Sequence, residues 1–117
     1  MKLDRTFQND VKKVFKSCER SDLRKEMRAV TELLSNRYQY DNAIRDHGRG
    51  IVAICTAVAV LDNSTEYEIA ERTWAQEVIN LIDDSERRIA RTFGNFWLHP
   101  AILADNMNFL RKVTTQN

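Results

Sequence analysis

Apolar side chains recur along this chain three or four positions apart, and six segments carry such a stripe, the signature of amphipathic helices. In the first, from about Asp4 to Cys18, Leu3, Phe7, Val11, Val14, Phe15 and Cys18 fall on one arc. Lys2, Arg5, Lys12, Lys13, Lys16 and Arg20 fall on the opposite arc with Asn9, and Asp4, Asp10 and Glu19 sit at the flanks. The second segment opens at Ser21, whose hydroxyl suits an N-cap, with Asp22 near the positive end of the helix dipole. Leu23, Met27, Val30, Leu34 and Tyr38 form its stripe.

The third begins near Asp41. Ala43, Ile44, His47, Ile51, Ile54, Val58 and Leu61 keep one stripe across Gly48 and Gly50, which predicts one continuous helix. A break at His47–Gly50 is the alternative, because a glycine in a helix interior costs about 1 kcal/mol. From Ile51 to Leu61 the segment is apolar on every side except at Thr56, so it belongs in the middle of a bundle. A buried strand reads similarly, but no partner strand is evident elsewhere.

Asp62 and Asn63 end this element. Thr65 and Glu68 have capping-box spacing for a fourth helix, with Tyr67, Ala70, Trp74, Val78, Leu81 and Ile82 facing inward. A fifth follows Ser85, with Ile89, Ala90, Phe93 and Trp97 on one side and Arg87, Arg88 and Arg91 on the other, and Gly94 ends it. Pro100 suits the first helical position after a His99 cap and opens a sixth helix, carrying Ile102, Leu103, Met107, Phe109 and Leu110. The tail from Thr114 is expected to fray.

Three Gly and one Pro in 117 residues leave little material for the turns of a strand-rich fold. The pattern therefore predicts an all-α fold: a single domain over residues 1–117, a compact bundle of five to six helices, with residues 51–61 in a central buried helix. Cys18 and Cys55 both fall inside apolar patterns and read as buried free thiols, not as a demanded disulfide. The opening MKLDRTFQND lacks the apolar core of a signal peptide, and Ile51–Leu61 is about half a membrane span. These features predict a cytoplasmic protein with no membrane partner.

Charge changes the picture through its distribution. The net charge is +1, so no bulk field points to a polyanion. Yet residues 1–50 hold 12 Lys/Arg against 8 Asp/Glu, residues 51–84 hold 1 against 7, and residues 85–117 hold 5 against 2. The sharpest candidate surface is the basic arc of the first helix, Arg5, Lys12, Lys13, Lys16 and Arg20. It could dock an acidic protein surface or neutralise phosphates. The structural alternative is a solvated face. No aromatic interleaves with these cations, so a stacking platform for single strands is not indicated. Arg87, Arg88 and Arg91 form a smaller basic face, for which pairing with the acidic fourth helix, Glu86 or Asp83 is the plainer explanation. Phe96 and Trp97 are more apolar than a solvated turn needs; they complete the core or offer a patch to a partner.

Catalytic equipment is sparse. There are two His at unrelated positions, no closely spaced His/Cys/carboxylate set for a metal, no Gly-rich phosphate loop and no local nucleophile signature. Residues 30–45, VTELLSNRYQYDNAIR, are only superficially like a helix-turn-helix, lacking its turn glycine. The sequence thus predicts no catalytic residue, no metal and no cofactor. It favours a small non-catalytic protein-interaction module, a subunit or inhibitor of a larger assembly, of the kind common among phage and mobile-element accessory proteins. The candidate partner-binding residues are Arg5, Lys12, Lys13, Lys16, Arg20, Arg87, Arg88, Arg91, Phe96 and Trp97. A second copy of the chain is a further candidate partner. The alternatives are a nucleic-acid-binding protein using the first basic arc, and an enzyme or ligand-binding domain around His47 and Glu71. Glu71 projects into its helix's apolar arc, where a carboxylate needs a partner or serves as a functional acid.

Overall fold

The structure, a computed structural model, describes residues 2–16, 19–35, 40–93 and 100–116, without the side chains of Arg20, Phe93 and Pro100. Seven α-helices lie in these residues: α1 (Arg5–Lys13), α2 (Arg20–Leu34), α3 (Tyr40–His47), α4 (Arg49–Asp62), α5 (Ile69–Ile79), α6 (Asp84–Phe93) and α7 (Pro100–Thr114). Short 3₁₀ turns at Val14–Lys16 and Ser64–Glu66 extend α1 and precede α5. The all-α expectation holds, but the count is seven, not five to six.

The extra helix comes from Gly48. It adopts φ +94° and ψ 150°, an extended left-handed conformation that a helix cannot contain, and it divides the expected third helix into α3 and α4. The stripe survives the break because both pieces keep an apolar face on the core: Tyr40 and Ala43 are buried in α3, and every residue from Gly50 to Val60 is buried in α4. Helix α4 touches every other α-helix, so the apolar run does form the bundle's centre. Thr56, its one polar interior residue, is fully buried and donates its hydroxyl proton to the Val52 carbonyl at 2.7 Å, which satisfies it within its own helix.

Elsewhere the stripes fold largely as spaced. Phe7 and Val11 of α1, Leu23, Met27, Val30 and Leu34 of α2, and Leu103, Met107 and Leu110 of α7 are buried in one core. Asp4 caps α1, its carboxylate accepting from the Phe7 N–H at 3.2 Å. The starts of α2 and α5 differ from expectation. Helix α2 begins after Glu19, because the Leu23 N–H already bonds the Glu19 carbonyl at 2.9 Å, so Ser21 lies inside the first turn. The residue that closes the capping geometry of α5 is Glu71, whose carboxylate accepts from the Glu68 N–H at 2.9 Å, while Thr65 lies in the 3₁₀ turn.

Helix α5 also rolls slightly from its expected face: Ala70 is exposed and Ala75 is buried beside Trp74 and Val78, while Glu71 is buried in the apolar arc as its spacing predicts. In α7 Phe109 turns partly outward and meets Tyr40 edge-on, ring centroids 6.3 Å apart. The tail does not fray through Gln116. Thr115–Gln116 pairs antiparallel with Lys2–Leu3, Leu3 opposite Thr115, and the Asp4 N–H donates to the Thr114 carbonyl at 2.7 Å. Among the described residues no helix is long and apolar enough to cross a membrane.

Candidate functional site

The outer face of α1 is where the sequence placed its strongest surface signal. Arg5, Lys12, Lys13 and Lys16 are all exposed there. Arg5, Asn9 and Lys12 follow the helical repeat, and the 3₁₀ turn carries the row on to Lys16. Arg20 opens α2, and its side chain lies outside the described residues, as do Phe96 and Trp97.

Two of the three flanking acids, Asp4 and Asp10, are drawn off this face by one residue, while Glu19 stays exposed at its end. Arg49, at the first turn of α4, donates from Nε to the Asp10 carboxylate at 2.7 Å. Its Nη2 stands 3.7 Å from the Asp4 carboxylate, and its Nη1 donates to the Val113 carbonyl at 3.1 Å. The guanidinium also sits 5.7 Å from the centre of the Phe7 ring, a cation–π distance. One arginine therefore joins α1, α4 and the end of α7, and pairs two of the acids that would otherwise offset the basic row. Gly50, next in sequence, makes that junction close. A Cβ there would lie 2.7 Å from the Asp10 carbonyl oxygen and 3.2 Å from the Val11 nitrogen, so α4 crosses α1 at backbone contact. Neither role has a sequence signal, because Asp10 and Val113 lie 39 and 64 positions from Arg49.

The second basic set lines a cleft. Val58 and Leu61 of α4, Gln76 and Ile79 of α5, and Asp84, Arg87, Arg88 and Arg91 of α6 enclose about 380 Å³. The expected pairing of these arginines with Asp83 and Glu86 is not what forms. Those two acids cap α6 reciprocally: the Asp83 N–H donates to Glu86 at 3.0 Å and the Glu86 N–H to Asp83 at 2.8 Å. Arg87 is held by Asp84 at 2.8 Å and by the Ile79 carbonyl, to which its Nε donates at 3.1 Å. Arg88 and Arg91 are exposed and make no ion pair among the described residues.

His47 and Glu71 are not brought together as a reactive pair. The His47 Nδ1 lies 3.4 Å from the Glu26 carboxylate, joining the end of α3 to α2. Glu71 is engaged at the start of α5 as described. Among the described residues no group of three His, Cys, Asp or Glu is placed to hold a metal ion. The ionisable groups displaced furthest from their ordinary ranges are core groups. Burial pushes the Cys55 thiol up to about 12, and burial with the nearby carboxylates of Glu71 and Glu66 pushes the Tyr67 phenol up to about 12. At that height Cys55 remains a neutral thiol, not a nucleophilic thiolate, through the physiological range. No protein-family model matches the chain, and no curated protein and no solved structure shows significant similarity to it.

Proposed function

We propose that the protein is a non-catalytic interaction module of the reducing cytoplasm, a subunit or inhibitor that docks an acidic protein surface through the outer face of α1. The observation that carries this reading is the Arg49 junction. By pairing with Asp10 and Asp4 it takes two acids away from the exposed row that holds Arg5, Lys12 and Lys16. Such a row attracts a complementary surface and sets the register of docking.

A protein partner fits better than a nucleic acid. The row spans only a short helix and one further turn, whereas duplex binding needs phosphate contacts spread along a groove. The whole chain carries only +1, and its residues 51–84 are strongly acidic, which repels a polyanion as it approaches. Phe96 and Trp97 remain candidate anchors on this reading.

The test is affinity capture from native-host lysate, with a nuclease-treated sample in parallel, using the wild-type chain and the variant K12E/K16E. Both substituted residues are exposed, so the variant keeps its fold. A protein band that survives nuclease and is lost with the variant is the expected result. Equal recovery by the variant refutes the α1 surface, and loss on nuclease treatment transfers the function to nucleic acid.

A further inference from the structure

We propose that the cleft between α4, α5 and α6 binds a small organic phosphomonoester, with the phosphate on Arg88 and Arg91 and the organic body on Val58, Leu61 and Ile79. The inference is independent of the docking surface on α1.

Charge accounting identifies the head group. The cleft wall holds three guanidiniums and one carboxylate, Asp84. Asp84 is taken by Arg87, and the neighbouring acids Asp83 and Glu86 are committed to capping α6. Two guanidiniums, Arg88 and Arg91, therefore remain without a counter-charge among the described residues, three positions apart on one helix, where like charges repel at a small cost in stability. A carboxylate would neutralise one of them. A phosphomonoester carries roughly −1.5 to −2 near neutral pH and presents three acceptor oxygens, which matches two forked donors. Arginine, with its planar set of five N–H groups, recognises such an oxygen array in a way that lysine cannot.

The floor identifies the rest of the ligand. Val58 and Ile79 are side chains of the core surfacing at the bottom of the cleft, and Leu61 is half-buried beside them. Inorganic phosphate would leave that apolar floor wet; an aromatic or aliphatic body covers it. The cleft volume of about 380 Å³ falls in the range of small-ligand sites, roughly 300–1,000 Å³. Arg87 fixes the edge of the wall before any ligand arrives, since its Nε is tied to the Ile79 carbonyl of the floor itself. Gln76 donates its amide N–H to Asn80 at 2.9 Å, which leaves its carbonyl oxygen at the rim to accept from a ligand hydroxyl.

The probe is phenyl phosphate, titrated into the full chain and followed by amide NMR shifts and calorimetry, with inorganic phosphate and benzoate as comparisons. The expected result is saturable one-to-one binding with shifts concentrated in α4, α5 and α6. Phenyl phosphate should bind at least about tenfold more tightly than inorganic phosphate, because ring burial adds apolar area, and at least about tenfold more tightly than benzoate, because the carboxylate satisfies half the charge. R88Q/R91Q should lose at least about tenfold in affinity for phenyl phosphate with an unfolding midpoint no lower than the parent's, since both residues are exposed and their mutual repulsion is relieved. Binding that does not saturate, inorganic phosphate binding as well as phenyl phosphate, or undiminished affinity in R88Q/R91Q would each overturn the proposal.

Discussion

A side chain at Gly50 would press on the Asp10 carbonyl of the neighbouring helix, whereas one at Gly48 would meet nothing within 4 Å. The two glycines are therefore required for different reasons, and graded substitutions separate them. At Gly48 the penalty is backbone strain from φ +94°, about 1–3 kcal/mol, and it should be nearly the same for Gly48→Ala and Gly48→Gln. At Gly50 the penalty is steric, about 1–3 kcal/mol for Gly50→Ala, and it should grow further for Gly50→Val as α1 and α4 are forced apart. Urea unfolding of the four variants measures both trends; a size dependence at Gly48 or its absence at Gly50 would show the roles to be misassigned. Cys55 and Tyr67 give a second residue-scale expectation. The Cys55 thiol ionises near 9.0 when unfolded, and burial in the fold raises this to about 12. Below pH 9 both states keep the proton, and the group adds no pH dependence. Above it the unfolded chain sheds the proton first, so stability falls with rising pH by up to about 1.4 kcal/mol per unit for each such group. Tyr67 adds to the slope above pH 10, its ordinary value being 10.0. Denaturant unfolding from pH 8 to 11 should show this decline, and Cys55→Ala should remove its onset between pH 9 and 10; an unchanged slope in that variant would exclude the thiol as its source.

A buried polar contact joins α7 to α5, and that contact sets the expectation at the scale of elements. The Trp74 indole donates to the Thr114 hydroxyl at 3.0 Å, and Thr114 passes its own proton to the Leu110 carbonyl at 2.7 Å. Thr114→Val keeps the shape but strands the indole N–H away from water, which costs about 1–3 kcal/mol. Trp74→Phe removes the donor instead, so the double variant should lose less than the sum of the two singles. A double-mutant cycle by thermal unfolding checks this, and strict additivity would mean that the hydrogen bond carries no coupling. This clasp also shows what periodicity can and cannot deliver. Trp74 was legible as an inward residue, since its neighbours at helical spacing are apolar. Thr114 was not, because a polar residue near the end of a chain carries no sign that a strand pair will bury it. The division at Gly48 was legible only as the alternative that the glycines raise, because the stripe is blind to a break that leaves both halves facing the same core. Among the candidate surfaces, the arginines of α6 were legible as one face, but the cleft they line was not. Its floor comes from Val58, Leu61 and Ile79, which look like ordinary core positions until the fold sets them beside Arg88.

At the scale of the whole molecule, residues far apart in sequence close the bundle. Lys2–Leu3 pairs with Thr115–Gln116, and the Arg49 guanidinium spans from Asp4 and Asp10 to Val113 across the same region. The Cα atoms of Leu3 and Thr115 face each other across one ladder, so about 5 Å separates them. A short flexible linker between residues 116 and 2 can therefore bridge the two without displacing either. New ends can then be opened elsewhere, and the structure ranks the places. Thr65 and Glu66 are exposed in a 3₁₀ turn, and a cut there breaks few tertiary contacts. A cut between Gly48 and Arg49 frees the N-terminus of α4 where Arg49 and Gly50 tie it to α1, and it disturbs the most central helix of the bundle. The permutant opened at Thr65–Glu66 should keep the helical circular dichroism of the parent chain and unfold within a few degrees of it, whereas the permutant opened at Gly48–Arg49 should be markedly less stable. Melting curves of the two decide the matter. If both melt alike, the α1–α4 junction is not the closure that holds the bundle; if the first fails to fold while the second folds, the strand pair does not bring the two ends of the chain together.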